Sequence, residues 1–129
     1  MTKMKYSKSY DPPAPVAQIK LRNSVTLETI SNVPMLLDTG SDITLLPKSF
    51  CEKIGVTIST TRFLELVAFD QSISIAFYTS LDFIFLNKLF RGDFLVYEHQ
   101  EGIIGRDILN EFSLLFDGKN QNWQRQTFI

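Results

Sequence analysis

Short apolar or alternating runs dominate the chain and constrain its fold more than any other feature. They fall at Val16 to Leu21, Val25 to Ile30, Met35 to Leu37, Phe63 to Phe69, Ile73 to Tyr78, Leu81 to Leu86, Phe94 to Tyr97 and Leu114 to Phe116. These are strand lengths, rich in Phe, Ile and Val, which suit a pleated and half-buried surface. Turn-forming residues separate them: Asn32, Asp70-Gln71, Asn87-Lys88, Gly92-Asp93 and Gly118-Lys119-Asn120. Two segments read as helical. Pro47 to Ile54 starts with proline and stops at Gly55, and Arg106 to Phe112 places Ile108, Leu109 and Phe112 on one face. The expectation is an all-β domain of many short strands with one short C-terminal helix and a second short helix before it.

With 129 residues the chain accommodates one domain with a real core and has no room for a second catalytic domain. Thirteen basic and fourteen acidic residues are scattered, for a net charge of −1, so no patch attracts nucleic acid or a membrane surface. A single cysteine, Cys51, excludes an internal disulfide, and a single histidine, His99, leaves no metal-ligand spacing, so no metal or cofactor is expected. Neither an apolar run of about eighteen residues nor an apolar signal-peptide core is present. A cytoplasmic protein in a reducing compartment is expected. Residues 1–15, with Pro12, Pro13 and Pro15, read as a flexible, extended arm preceding a domain over 16–129.

Asp38 stands out chemically. It follows the apolar run Val33-Pro34-Met35-Leu36-Leu37 and opens the turn Thr39-Gly40-Ser41. An ionised carboxylate is costly at the end of a buried strand unless it is compensated, so Asp38 is either a hydrogen-bonded structural acid or a tuned catalytic one. Cys51 and His99 have nothing in the sequence to bring them together as a nucleophile pair. Cys51 reads as a small buried residue and His99 as an exposed loop residue.

Leu36-Leu37-Asp38-Thr39-Gly40-Ser41-Asp42, followed about sixty residues later by Ile103-Ile104-Gly105-Arg106-Asp107-Ile108-Leu109, resembles the paired signature of the retropepsin-like aspartic proteases. Leu114-Leu115-Phe116-Asp117-Gly118 extends the likeness, which spans Val16 to Phe128. The resemblance implies a closed, barrel-like fold in which each chain supplies half an active site. A homodimer acting on a peptide or protein substrate completes it. Asp38 would be the catalytic acid or base, and Gly40 would allow close approach of the twin carboxylate and the substrate backbone. Thr39 would bond across the dimer, or else satisfy its own turn. Ser41 would hydrogen-bond the outer carboxylate oxygen and favour ionisation. Asp42 and Arg106, next to Gly105, would form a buried bidentate pair, or else remain unrelated surface charges. Asp107 reads as a helix-start acid.

By the same resemblance Phe63 to Tyr78 is the flap, a hairpin that closes over substrate, with Ala68, Phe69 and Asp70 at its tip. Family flaps carry glycines there, whereas Val67-Ala68-Phe69-Asp70-Gln71-Ser72-Ile73 has none. That departure keeps a second function in view, a retropepsin-fold dimerisation or peptide-binding module with little or no activity. Phe69 either covers a substrate side chain or belongs to the core. Gln121 to Ile129, with Trp123 and Phe128, is a candidate interface strand or an edge strand within one subunit.

Overall fold

The computed structural model describes residues 2–127. Its strands are β1 (Met4–Ser7), β2 (Ala14–Arg22), β3 (Thr29–Leu37), β4 (Leu45–Pro47), β5 (Phe63–Val67), β6 (Ile73–Phe85), β7 (Lys88–Tyr97), β8 (Gly102–Ile104), β9 (Leu114–Asp117) and β10 (Asn122–Arg125). Two short helices interrupt them, α1 (Lys48–Lys53) and α2 (Arg106–Leu109). The strands lie in the order β5-β6-β7-β4-β8-β3-β2-β1-β10-β9, and an additional β2–β6 pairing turns the sheet back on itself. Strands β6, β7, β4, β8, β3 and β2 therefore form a closed circuit of pairings. This is the all-β architecture expected from the short apolar runs.

Inside the circuit, Ile19, Leu21, Val33, Met35, Leu46, Leu81, Phe83, Val96 and Ile104 are all but inaccessible to solvent. Alternation along β2 puts Ala17, Ile19 and Leu21 inside and leaves Gln18 and Lys20 exposed. Phe83 stacks on Phe94 with ring centroids 5.4 Å apart, tying β6 to β7 within the core. The β6–β7 hairpin turns on Leu86 and Asn87, both at positive φ, which matches the twist of the strands it joins.

Several segments differ from the expectation. The start of the chain, expected as a flexible arm, contains β1, which pairs with both β10 and β2. Its prolines lie in the connection and at the start of β2, so they leave the Met4–Ser7 hydrogen bonds intact. Val25 to Ile30, expected as one strand, begins as a turn organised by Asn23, whose Oδ1 accepts from the N–H groups of Val25 and Thr26. Ile73 to Tyr78 and Leu81 to Leu86 merge into the single long strand β6. Pro47 ends β4 and flanks α1 instead of forming its first turn, and α2 is a single turn that stops at Leu109. Trp123 is 1% exposed and its Nε1–H donates to the Val16 carbonyl, so it fills the core of one chain instead of meeting a partner. Phe128 lies outside the described residues.

Asp82, which drew no attention in the sequence, is a fully buried carboxylate on β6. Arg91 donates to both its oxygens at 2.8 and 3.1 Å, Arg22 donates at 2.9 Å, and the Ser24 hydroxyl adds another bond at 2.9 Å. The Arg91 hydrogen bonds, joined by those of Arg22 and Ser24, outweigh desolvation and hold Asp82 well below the usual carboxylate range. A depressed folded-state value contributes stability that is complete above the unfolded carboxylate value, about 3.9, and is lost as pH falls below it. In urea denaturation at neutral pH, Asp82→Asn should therefore cost about 2 to 3 kcal/mol. The gap to wild type should narrow progressively in acid, and a gap that stays constant would contradict this account of the site.

Candidate active site

Asp38 is placed by the end of β3. Met35, Leu36 and Leu37 pair in parallel with Gly102, Ile103 and Ile104 of β8, and the Asp38 N–H continues the ladder by donating to the Ile104 carbonyl at 3.0 Å. The chain then turns. Ser41 N–H donates to the Asp38 carbonyl at 3.2 Å, and Gly40 N–H donates to Asp38 Oδ1 at 2.9 Å. Asp38 is half-buried, while Thr39 and Gly40 are exposed, so the carboxylate stands at a surface opening with its backbone fixed from below.

The second motif clamps the turn. Arg106 N–H donates to the Ser41 carbonyl at 2.8 Å, and Arg106 Nη1 donates to the Thr39 carbonyl at 2.6 Å. Gly105 packs so closely that an added Cβ would lie 2.4 Å from the Ile43 carbonyl oxygen. At Gly102 the same atom would lie 2.6 Å from the Leu45 carbonyl oxygen. Backbone cannot retreat from such contacts as a flexible side chain can. Thr44 and Asp107 complete the clamp, and nothing in the sequence marked them as a pair. Asp107 accepts from the Thr44 N–H at 3.1 Å and from its hydroxyl at 2.6 Å, while Thr44 Oγ1 accepts from Gly105 N–H at 3.1 Å. Asp107 also caps Ile108 N–H at 3.0 Å, which agrees with its reading as a helix-start acid.

Two expected contacts are absent from the single chain. Asp42 and Arg106 are both exposed and form no ion pair among the described residues; the guanidinium instead donates through Nη1 to the Thr39 carbonyl. The Ser41 hydroxyl donates to the Ile43 carbonyl at 2.7 Å instead of to the Asp38 carboxylate. A carbonyl two residues ahead is closer at hand in this turn.

A cleft of about 600 Å³ opens in front of Asp38. Asp38, Gly40, Ser41 and Asp42 line one side, and Leu64 to Phe69 line the other. Six consecutive residues reach the cleft because β5 is the last strand of the sheet and presents its unpaired edge. The hairpin tip forms without glycine. Gln71 N–H donates to the Ala68 carbonyl at 2.9 Å, Ala68 N–H donates to the Ser72 carbonyl at 3.0 Å, and Gln71 itself takes the left-handed conformation at φ 66°. Asp70 does not line the cleft; its Oδ1 accepts from Ser72 N–H at 2.9 Å and holds the turn. Phe69 is fully exposed at the tip and borders the cleft, which removes the core alternative. A second cavity of about 700 Å³, lined by Lys48, Glu52, Ile75, Phe77 and Tyr97 among others, contains none of the motif residues.

Other chemistries find no support in the geometry. Cys51 is buried, and burial pushes its thiol up to about 12, so no thiolate forms near neutral pH. His99 is exposed and stacks on Tyr97. Among the described residues no group of three or more His, Cys, Asp or Glu is arranged to hold a metal ion, and no helix is long and apolar enough to cross a membrane.

No family model matches the sequence, and comparison with curated proteins finds no relative. Solved structures do match. EIAV protease in complex with the inhibitor HBY-793 aligns with a TM-score of 0.59 at 20% identity, over 84% of this chain and 93% of that one. A retropepsin-like aspartic protease from Rickettsia conorii aligns with a TM-score of 0.58 at 15% identity, over 95% of this chain and 87% of that one. The chain thus has the fold of the retropepsin-like aspartic proteases.

The Gly105 contact gives a test of the clamp. Gly105→Ala should lower stability by about 2 to 3 kcal/mol, because backbone must move, whereas Arg106→Ala, at an exposed position, should cost about 1 kcal/mol. Thermal melting of the two variants compares them, and equal losses would count against the clamp as drawn.

Proposed function

We propose that this protein is a homodimeric aspartic endopeptidase whose active site forms when two Asp38 carboxylates meet. The observation that carries the reading is Asp38 itself, a carboxylate fixed by the β3–β8 ladder at the mouth of a cleft whose far wall is an unpaired strand edge. An extended peptide laid in that cleft satisfies the β5 edge by backbone hydrogen bonds and so passes over Asp38. The likeness to two proteases, one of them described as a retropepsin-like aspartic protease, supports the same reaction class.

Two carboxylates are needed because the roles differ. One, ionised, removes a proton from the attacking water; the other, protonated, donates to the scissile carbonyl oxygen as the tetrahedral intermediate forms. The sequence holds a single Asp-Thr-Gly, so the second carboxylate comes from a second copy. Like charges side by side do not both ionise, and the pair titrates as a unit that shares one proton. Thr39, exposed beside Asp38 and with its carbonyl held by Arg106, faces outward where a partner would contact it. The free edge of β9, with Leu115 and Phe116 46% and 40% exposed, is a further surface that a second copy would cover. Of the segment expected as an interface strand, Asn122–Arg125 forms β10 and is paired on both sides, with β1 and β9, within one chain.

Ser41 does not reach the carboxylate in the single chain, so its influence on the pH profile would depend on releasing the Ile43 carbonyl. Ser41→Ala is therefore expected to leave the acid limb unmoved.

Peptide cleavage should follow a bell-shaped profile between about pH 3 and 8 and should be abolished by Asp38→Asn. Sedimentation should place the active species at twice the chain mass. Activity that survives Asp38→Asn would refute the mechanism, and a stable dimer that binds but never cuts peptide would favour the peptide-binding module instead.

A further inference from the structure

We propose that Asp42 and Glu65 make the cleft selective for peptides carrying lysine or arginine beside the apolar residues at the cut site. The inference rests on the cleft being the peptide site and adds the substrate class. Every charged residue lining the cleft is acidic: Asp38, Asp42 and Glu65, with no lysine, arginine or histidine among the lining residues. Asp38 is committed to the chemistry. Asp42 and Glu65 are exposed, and neither makes an ion pair or a side-chain hydrogen bond among the described residues.

Asp11, Glu28 and Glu52 are also without such partners among the described residues but lie outside the cleft, whereas most other acids are engaged. Asp82 is held by Arg22 and Arg91, Asp93 by Arg62, Glu98 by Lys48, Glu111 by Lys88, and Glu101 accepts from the Tyr10 hydroxyl. The two carboxylates left without a partner at the cleft lie on opposite walls, Asp42 beyond the Asp38 turn and Glu65 on β5. With Asp38 they form no group of three arranged to hold a metal ion among the described residues. Each can therefore meet a different side chain of an extended peptide.

Lysine and arginine fit such a wall particularly well. Their methylene stems lie along apolar surface, here Ile43, Leu45, Leu64, Leu66 and Ile103, while the charged head reaches a carboxylate at the rim. Glutamate or aspartate at the same place meets like charge across a cleft with no cation to relieve it. A two-fold dimer repeats both carboxylates, so the preference extends to both sides of the cut. An exposed ion pair is worth about threefold in affinity, so two should give about tenfold at low salt, with screening reducing it.

The test uses matched peptides with one apolar pair at the cut site, flanked by lysine, glutamine or glutamate. Cleavage by the full chain and binding to the Asp38→Asn protein, followed by fluorescence polarisation, are measured at low and high salt. Wild type should prefer the lysine over the glutamate peptide by about tenfold, and less so at high salt. Asp42→Asn and Glu65→Gln should each reduce the ratio, and Glu65→Lys should invert or erase it, with circular dichroism confirming that the variants fold. Equal handling of lysine and glutamate peptides, or a preference untouched by these changes, would overturn the inference while leaving proteolysis standing. A charge preference in binding without any cleavage would do the reverse, and failure to bind or cut every peptide would count against both.

Discussion

The parallel ladder between Met35–Leu37 and Gly102–Ile104 joins segments more than sixty residues apart, and the Asp38 turn depends on it. Asp38 takes its position from the last bond of that ladder, and the chain after β8 immediately folds over the turn so that Gly105 meets Ile43 and Arg106 meets Ser41 and Thr39. Closing so long a loop costs entropy that local contacts cannot recover. The return comes from burial of Met35, Leu37 and Ile104 in the main core. The site is thus a by-product of core formation, and its precision is set by close backbone packing at two glycines.

Charge is distributed with equal economy. Asp82 is withdrawn completely from solvent and given two arginines and a hydroxyl, the arrangement that a buried carboxylate requires. Among the described residues the Asp38 carboxylate receives only a backbone N–H, from Gly40, and it remains at the surface. A carboxylate saturated by cations could not exchange protons near neutral pH, whereas one with a free oxygen can face a second carboxylate and a water. The difference in partners separates the buried structural acid, Asp82, from Asp38 at the cleft.

The β5–β6 hairpin gains its form without the glycines usual at such a tip. Gln71 accepts the left-handed conformation and Asp70 secures the turn, leaving Phe69 projecting into solvent at the rim of the cleft. Strand β5 remains unpaired on one side, so the same segment supplies both the cleft wall and the backbone groups that an extended chain would satisfy.

Much of this was legible in the residues. The short Phe-, Ile- and Val-rich runs specified an all-β chain, and the likeness of Asp38-Thr39-Gly40 and Gly105-Arg106 to the paired retropepsin signature marked where two distant segments would meet. What the side chains do on meeting was not legible. Arg106 took the Thr39 carbonyl instead of Asp42, Ser41 took the Ile43 carbonyl, and Thr44 found Asp107, since each choice depends on which acceptor lies nearest once the backbone is closed. Trp123 went to the core and β1 joined the sheet for the same reason. Strand-forming character and the place of the Asp38 turn were readable from the residues, because they are local properties of pattern and turn chemistry. Only the tertiary structure decided hydrogen-bond partners, the burial of Asp82 and which strand edges stay open, because these depend on distances between residues that the chain order keeps far apart.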